Sequence, residues 1–153
     1  MLVTTRVFGD VDIAEDKIIE FPNGIVGFPD LNRFTLLYDI EKGSECAVKW
    51  LQSIEEPGFA IPVMDPLLVK TDYNPVIEDE LLKPIGEIHE DNILVFTGMN
   101  VPTDLTKMTV NLQAPFIINS DERKGCQIVL ENSGYPIKFE IYDILQEAKK
   151  RRG

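Results

Sequence analysis

The sequence contains few of the residues that enzymes and metalloproteins use most often for chemistry. Among its 153 residues are two cysteines, one tryptophan and one histidine. Cys46 and Cys126 lie far apart and form no Cys-x-x-Cys spacing, so we expect reduced, partly buried thiols rather than a disulfide. One histidine and two distant cysteines cannot supply the four ligands of a zinc site. The sequence therefore predicts no metal.

Motifs for phosphate binding and for nucleophilic catalysis are also missing. Neither GxxxxGK[ST] nor GxGxxG occurs, and there is no calcium-binding DxDxDG loop. His89, in GEIHEDN, has acidic neighbours but no identifiable nucleophile, which is typical of a loop or strand-end residue. Paired carboxylates such as Glu55 and Glu56 can perform acid–base chemistry in glycosidases, although in an acidic protein they are mostly solvated. We predict a protein that is not an enzyme and uses no cofactor.

Long hydrophobic runs and a targeting segment are absent too. The first residues, MLVTTRVFGDVDI, lack the basic segment, apolar core and cleavage site of a secretory signal. No apolar run reaches the ~18–20 residues of a membrane helix. Hydrophobic residues make up 44% of the chain and charged residues 27%, as in ordinary globular domains. These features predict one folded domain over residues 1–153, cytoplasmic and without a membrane partner.

Basic residues are outnumbered: 26 acidic residues against 15 Lys and Arg give a formal net charge of −11. Such a surface repels phosphate backbones, so we expect no direct nucleic-acid partner. It suits a basic protein partner, although solubility alone is an alternative explanation. The basic KKRR sequence near the C-terminus is interpreted as the solvated end of a helix, with a nucleic-acid contact as the alternative.

Short β-type segments with turn residues between them run along the whole chain. Examples are KIIEF, FTLLYDI, ILVFTGM, PFIIN and CQIVL. Many short strands at near-regular spacing predict a sandwich or a barrel. Two helices are also expected. NPVIEDELLKP offers Asn74 as a cap and Pro84 as a stop, and residues 140–153 place Ile141, Ile144, Leu145 and Ala148 at helical spacing.

Two segments have proline within a β-type run. In LQSIEEPGFAIPVMDP, an acidic turn is expected to separate two strands. Trp50, just before this stretch, or Leu51 should face inward on the first strand. Pro62, in the second strand, suggests a sheet edge, a bulge or a strand end. A strand edge blunted by proline either protects against aggregation or forms a docking surface. In NLQAPFIINS, Pro115 lies between Asn111 and Asn119, whose side chains can hold a turn or contact a partner.

The combination of these segments resembles the flagellar assembly factor FliW family. The matching stretches are FGDVDI, IIEFPNGIVGFPDLNRF, WLQSIEEPGFAIPVMDP and TVNLQAPFIINSDERKGCQIVLENSGYP. They cover most of the chain, and Val26 stands where the family more often has proline. The resemblance implies a small, mainly antiparallel, β-barrel-like protein with one or two short helices. It also implies a non-enzymatic regulator that binds flagellin and relieves translational repression by CsrA, a small dimeric RNA-binding protein.

The site residues follow from the acidic surface together with the motifs of this resemblance. We hypothesise that carboxylates face the regulator, and that motif residues contact a partner or else maintain the fold. The carboxylates are Glu55, Glu56, Glu78, Asp79 and Glu80, and the motif residues are Gln52, Ser53, Pro57, Asn111, Pro115 and Asn119. The alternative function is a carbohydrate-binding or carbohydrate-active β protein, which would use exposed aromatic rings such as Trp50, Tyr73 and Tyr135.

Overall fold

The structure, a computed structural model, describes residues 1–38 and 48–152. Two helices are described, α1 (Asp79–Leu82) and α2 (Tyr142–Arg152). The strands are β1 (Leu2–Thr5), β2 (Gly9–Asp12), β3 (Ile19–Glu20), β4 (Arg33–Leu37), β5 (Lys49–Ser53), β6 (Ala60–Met64), β7 (Ile93–Asn100), β8 (Thr109–Val110), β9 (Phe116–Asn119), β10 (Lys124–Gln127) and β11 (Phe139–Glu140).

Seven of these strands form a closed barrel in the order β7-β6-β5-β4-β3-β10-β9, and β9 pairs with β7 to complete the ring. The pairs are antiparallel except for β3 and β10, whose parallel ladder consists of Glu20 opposite Lys124. β8 and β11 extend the sheet from β7, and β1 pairs with β2 in a separate hairpin. The predicted barrel-like, mainly antiparallel fold with short helices is confirmed.

Aromatic rings fill the interior of the barrel. Phe21 is fully buried and contacts Phe34 and Phe116 edge-on, with ring centroids 5.1 and 6.5 Å apart. Leu51 on β5 belongs to the same core, whereas its neighbour Trp50 is only half-buried. Successive residues of a strand face opposite sides of a sheet, so Leu51 is the inward residue of the predicted pair.

A second apolar layer covers the outer face of β9 and β10. Ile117 and Cys126 face outward from these strands and pack with Ile85, which is fully buried. The covering segment is residues 74–92, which we call the strap.

Burial raises the pKa of the Cys126 thiol to about 11. Cys46 lies outside the described residues, so the expected absence of a disulfide stays a prediction.

The strap differs from the helix expected over NPVIEDELLKP. Asn74 caps no helix: residues 74–78 have no regular secondary structure, and the Asn74 backbone N–H donates to Tyr135 Oη at 3.1 Å. α1 begins at Asp79, after Glu78 at its N-cap position, and a 3-10 turn at Lys83–Ile85 follows. The predicted helix is thus shorter than expected, and Ile77, in the non-helical part of the segment, packs against the outer face of the barrel instead.

The C-terminal helix forms at the other end of the barrel. Ile141, just before α2, is fully buried, and Ile144 and Leu145 pack on the same cluster as Met64 and Val110. The expected apolar spacing is therefore confirmed for these residues. No helix in the described part of the chain has the length and hydrophobicity needed to cross a bilayer.

Pro62 lies in an inner strand rather than at a sheet edge. β6 has β5 on one side and β7 on the other, and Pro62 is opposite Trp50. The pairing of β6 with β7 includes only Val63 and Met64. Pro62 therefore lies just before the part of β6 that pairs with both β5 and β7, and this position accommodates a residue that has no backbone N–H to donate.

Close packing at the seam between β3 and β10 gives the first prediction. A Cβ atom at Gly125 would lie 2.6 Å from the Phe21 ring, which is fully buried and cannot move away. We expect Gly125→Ala to lower the free energy of unfolding by about 1–3 kcal/mol, measured by urea denaturation. Gly58→Ala is the control, because nothing lies within 4 Å of its added methyl group. Equal stability of the two variants would contradict this packing.

Candidate protein-binding surface

The motif NLQAP forms a bulge in the barrel wall. Residues 111–115, between β8 and β9, lie opposite only residues 97–98 of β7. Asn111 Oδ1 accepts a hydrogen bond from Gln113 N at 3.0 Å, and Pro115 is buried. Extra residues on one side of a strand pair bend that strand and change the direction in which the chain continues. The contacts of Asn111 and Pro115 thus favour the hypothesis that they maintain the fold.

The turn after β5 is built around two buried polar side chains. Gln52 Nε2 donates to the carbonyl oxygens of Ser53 and Pro57 at 2.9 and 2.8 Å, and Ser53 Oγ accepts from Glu56 N at 3.0 Å. Both side chains are fully buried. They fix the turn through backbone groups, while Pro57 is half-buried at its surface. Gln52 and Ser53 therefore determine the shape of the acidic turn from buried positions, through hydrogen bonds to its backbone.

The two carboxylates of this turn have different surroundings. Glu55 accepts backbone hydrogen bonds from Asn32 N at 3.1 Å and Arg33 N at 3.0 Å, and its carboxylate lies 3.8 Å from Arg33 Nε. Its side chain is 29% exposed. Glu56 is exposed and has no side-chain partner among the described residues. Glu55 thus anchors a neighbouring loop, and Glu56 is free to meet another molecule.

That loop, residues 21–32, contains a tight apolar hairpin between Gly24 and Phe28. Ile25 and Phe28 exchange backbone hydrogen bonds of 3.2 and 2.9 Å, and Gly24 has a φ of 68°. A Cβ atom at Gly24 would lie 2.5 Å from the Phe28 carbonyl oxygen, so only glycine fits there. Val26, at the tip, is 54% exposed, and Phe28 is 46% exposed. The hairpin therefore presents apolar side chains to solvent.

The hairpin lies between the two acidic segments. On one side, the Phe28 ring packs on Phe59, just after the acidic turn, with centroids 4.7 Å apart. On the other side, Val26 and Leu81 of α1 line the same depression of about 320 Å³. Glu78, Asp79 and Glu80 are exposed beside Leu81. The hairpin thus contacts Phe59, which follows the acidic turn in the chain, and shares a depression with Leu81, which follows Glu78, Asp79 and Glu80.

Asn119 has a different environment, inside the wall of the barrel. It is fully buried, and Nδ2 donates to the carbonyl oxygens of Ile85 at 2.8 Å and Glu87 at 3.1 Å. Its Oδ1 accepts from Asn92 Nδ2 at 3.3 Å and from the backbone N–H groups of Asp121 and Glu122. Asn119 therefore ties the strap to the end of β9 and does not reach the acidic surface.

Sequence reasoning missed the apolar part of this surface. Val26, Phe28, Leu81 and Val129 are each at least 45% exposed. The two glycines of FPNGIVGFPD indicate turns, and a tight turn holds the residue at its tip away from the core: Ile25 is buried, whereas Val26 at the tip is exposed. For Leu81 and Val129, the sequence carries no such signal, because both belong to apolar runs that resemble core segments.

Known proteins are similar to this chain in sequence and in fold. The family model described as FliW protein matches residues 2–141. The chain belongs to the FliW family. It is 49% identical to the flagellar assembly factor FliW of Lachnoclostridium phytofermentans, over 100% of this chain and 99% of that protein. It is 35% identical to its counterpart in Thermotoga neapolitana, over 97% and 98%.

A crystal structure of the flagellar assembly factor FliW superimposes on this chain with a TM-score of 0.85. It covers 93% of this chain and 97% of its own, at 28% sequence identity. The similarity thus extends over the barrel, the strap and the acidic turn together. As a FliW-family member, the protein is a flagellar assembly factor, a regulatory role in which a protein partner is implied.

The contrast between Glu55 and Glu56 gives a second prediction. We expect Glu55→Ala to lower the free energy of unfolding by about 1–2 kcal/mol, because two backbone N–H groups lose their acceptor. Glu56→Ala should change it by less than about 0.5 kcal/mol, since that side chain bonds to nothing in the described structure. Urea denaturation measures both. A Glu55→Ala protein as stable as the Glu56→Ala protein would show that the loop anchor is unimportant.

Asn119 gives a third prediction. Asn119→Ala should lower the free energy of unfolding by about 2–4 kcal/mol, because buried carbonyl and amide groups lose their partners together. Asn111→Ala is the matched control, since it removes one hydrogen bond at a half-buried position, and should cost only about 0.5–1.5 kcal/mol. If chemical denaturation ranks the two variants in the opposite order, Asn119 does not hold the strap.

Proposed function

We propose that this FliW-family protein is a non-enzymatic, cytoplasmic regulator that binds flagellin and the RNA-binding repressor CsrA. In this proposal, binding to CsrA relieves the repression of flagellin translation, and binding to flagellin makes the protein unavailable for CsrA. The whole chain acts as one domain, with α2 packed on the barrel. Family membership supports the general role, and the acidic surface supports the choice of a basic partner.

The observation that carries the proposal is the apolar hairpin with carboxylates on both sides. Protein interfaces combine a desolvated apolar centre with a polar rim, and here Val26, Phe28 and Leu81 would form that centre. The rim carboxylates Glu56 and Glu78 would steer a cationic protein toward it. Glu55 has a positioning role, because it holds the loop that carries the hairpin.

Electrostatics supply a mechanism for derepression. An RNA-binding protein carries basic residues that neutralise phosphates, and those residues are attracted to a surface of opposite charge. A bound protein with a net charge of −11 would repel the RNA backbone from the neighbouring surface. RNA release would then require no shape change in this protein and no chemistry.

The aromatic rings proposed for the carbohydrate-binding alternative are buried or half-buried. Tyr73 is only 6% exposed, and its hydroxyl donates to the Leu112 carbonyl oxygen at 2.8 Å. Burial raises the pKa of Tyr73 above its usual value. Tyr135 packs edge-on against Tyr73, and Trp50 is half-buried. These three rings therefore do not form the exposed stacking surface that a sugar would need.

Charge reversal tests the carboxylates in a calorimetric titration with purified CsrA. We expect a variant with Glu56, Glu78, Asp79 and Glu80 changed to Lys to bind at least about tenfold more weakly at low salt. Glu55 is left intact to keep the loop anchored. The control reverses four exposed carboxylates elsewhere, Asp16, Glu90, Asp91 and Glu147. Equal losses in both variants would mean that net charge, and not this surface, governs binding.

The same titration tests the partner exchange. Protein preloaded with flagellin should give no heat of binding with CsrA if one partner excludes the other. Unchanged CsrA affinity after preloading would contradict the exchange, and no binding of either protein would contradict the proposed function as a whole.

A further inference from the structure

The outer edge of β10 is open beyond its first residues. β3 pairs with β10 only at Lys124, and Val26 N of the 21–32 loop donates to Gln127 Oε1 at 2.8 Å, so beyond Gln127 no strand among residues 1–38 and 48–152 pairs with the backbone on that side. Ile128 N and Leu130 N donate to carbonyl oxygens of the chain before β9, at 3.1 and 2.7 Å. Because extended backbone alternates its N–H directions, the Val129 N–H points the opposite way, away from β9. It donates to no acceptor within residues 1–38 and 48–152.

The strap faces this edge with a segment that ends in extended backbone at Glu78, where φ is −65° and ψ is 137°. Residues 74–78 have no regular secondary structure, and the backbone N–H groups of Val76 and Ile77 donate to no acceptor in the described structure. Val76 is 93% exposed. The chain that continues from β10 and the segment 74–78, both with unused N–H groups, thus lie on the two sides of one groove.

The groove has a volume of about 640 Å³ and is open to solvent. Its floor and walls include Val76, Ile77, Leu81 and Val129, and it continues past Leu81 into the depression beside the hairpin tip. An unpaired edge beside apolar side chains is the geometry in which extended peptides add a strand to a sheet. Main-chain hydrogen bonds would supply affinity, and the apolar walls would accept alternate side chains of the added strand.

Charge decides what kind of segment fits. Glu78 and Glu131 line the groove, and no lysine or arginine does so in the described part of the chain. We propose that this groove binds an extended segment of a cationic protein, with apolar side chains at alternate positions and Lys or Arg beside Glu78 and Glu131. The inference rests on the proposed function, because the segment belongs to the basic, RNA-binding regulator.

Edge protection is the competing explanation for the same carboxylates. Proteins place charges on open strand edges to prevent association of identical chains. Those charges alone, however, leave unexplained why the opposite wall exposes Val76 and leaves the backbone N–H groups of Val76 and Ile77 without an acceptor in the described structure. A groove with two such walls suits insertion of a segment better than simple repulsion.

Amide hydrogen exchange of the full-length protein tests the insertion directly. We expect saturating CsrA to slow exchange at Val129 at least about tenfold, together with Val76 or Ile77, because an added strand accepts their N–H groups. Exchange at Leu130, already bonded to the Gln113 carbonyl oxygen, should change far less. If CsrA binds by calorimetry and none of the groove amides is protected, the groove is not the docking site and the proposed function survives.

A pair of matched variants supplies an independent readout. Leu81→Asp should weaken CsrA binding at least about tenfold, since it places a charge in the apolar wall. Leu67→Asp is the control, because Leu67 is 50% exposed against 49% for Leu81 and lies outside the groove. Urea denaturation confirms that both variants are folded. Equal affinities would overturn the groove assignment.

Two further outcomes are also decisive. Protection of the groove amides by flagellin and not by CsrA would overturn the choice of the cationic regulator as the occupant. Failure of the unmodified protein to bind either partner would overturn the proposed function and this inference together.

Discussion

The pairing of β7 with strands on both of its sides is the constraint on which the rest of the structure depends. Its first half pairs with β9, and its later residues pair with β6 on one side and β8 on the other. The ring closes only because residues 111–115 form a bulge that lets β8 and β9 share one partner strand. Closing a small barrel removes most exposed strand edges and encloses one aromatic core.

Closure also determines where the functional surface can lie. Once β9 and β10 are in the wall, their outward side chains need a cover, and the strap supplies it through Ile85 and Ile77. Asn119 fixes one end of the strap, so α1 is held beside the 21–32 loop. The acidic turn reaches the same loop through Glu55. The apolar hairpin and its carboxylates therefore meet as a result of how the barrel is closed.

The sequence was informative where the physical cause is local and less so where it is not. Strand periodicity predicted the barrel class, and helical spacing predicted α2, because both patterns depend on neighbouring residues. The role of Glu55 was not predictable, since its partners lie more than 20 residues earlier in the chain. Asn74 and Pro75 predicted a helix start, yet the helix begins only at Asp79, and the Asn74 backbone N–H donates to the distant Tyr135 hydroxyl. Leu81 lies in the segment expected to form a helix, and its exposure depends on which distant segments pack beside it.

The surface residues were predicted unevenly for the same reason. Glu56, Glu78, Asp79 and Glu80 are exposed, as charged turn and helix-start residues usually are. Gln52, Ser53 and Asn119 are fully buried, and their side chains form hydrogen bonds with backbone groups of the turn and the strap. Their place in the family motifs is therefore explained by the shape of the barrel, and the carboxylates remain the residues available to a partner.

The single residue pair between β3 and β10 has a consequence for the rigidity of the molecule. This ladder of one pair is shorter than the neighbouring antiparallel ladders, which have two pairs between β3 and β4 and four between β9 and β10, so fewer backbone pairs hold this seam. A strand added along β10 would brace the wall next to that seam. Partner occupancy and barrel stiffness would then be thermodynamically linked, and the protein would be at its most rigid when it is bound.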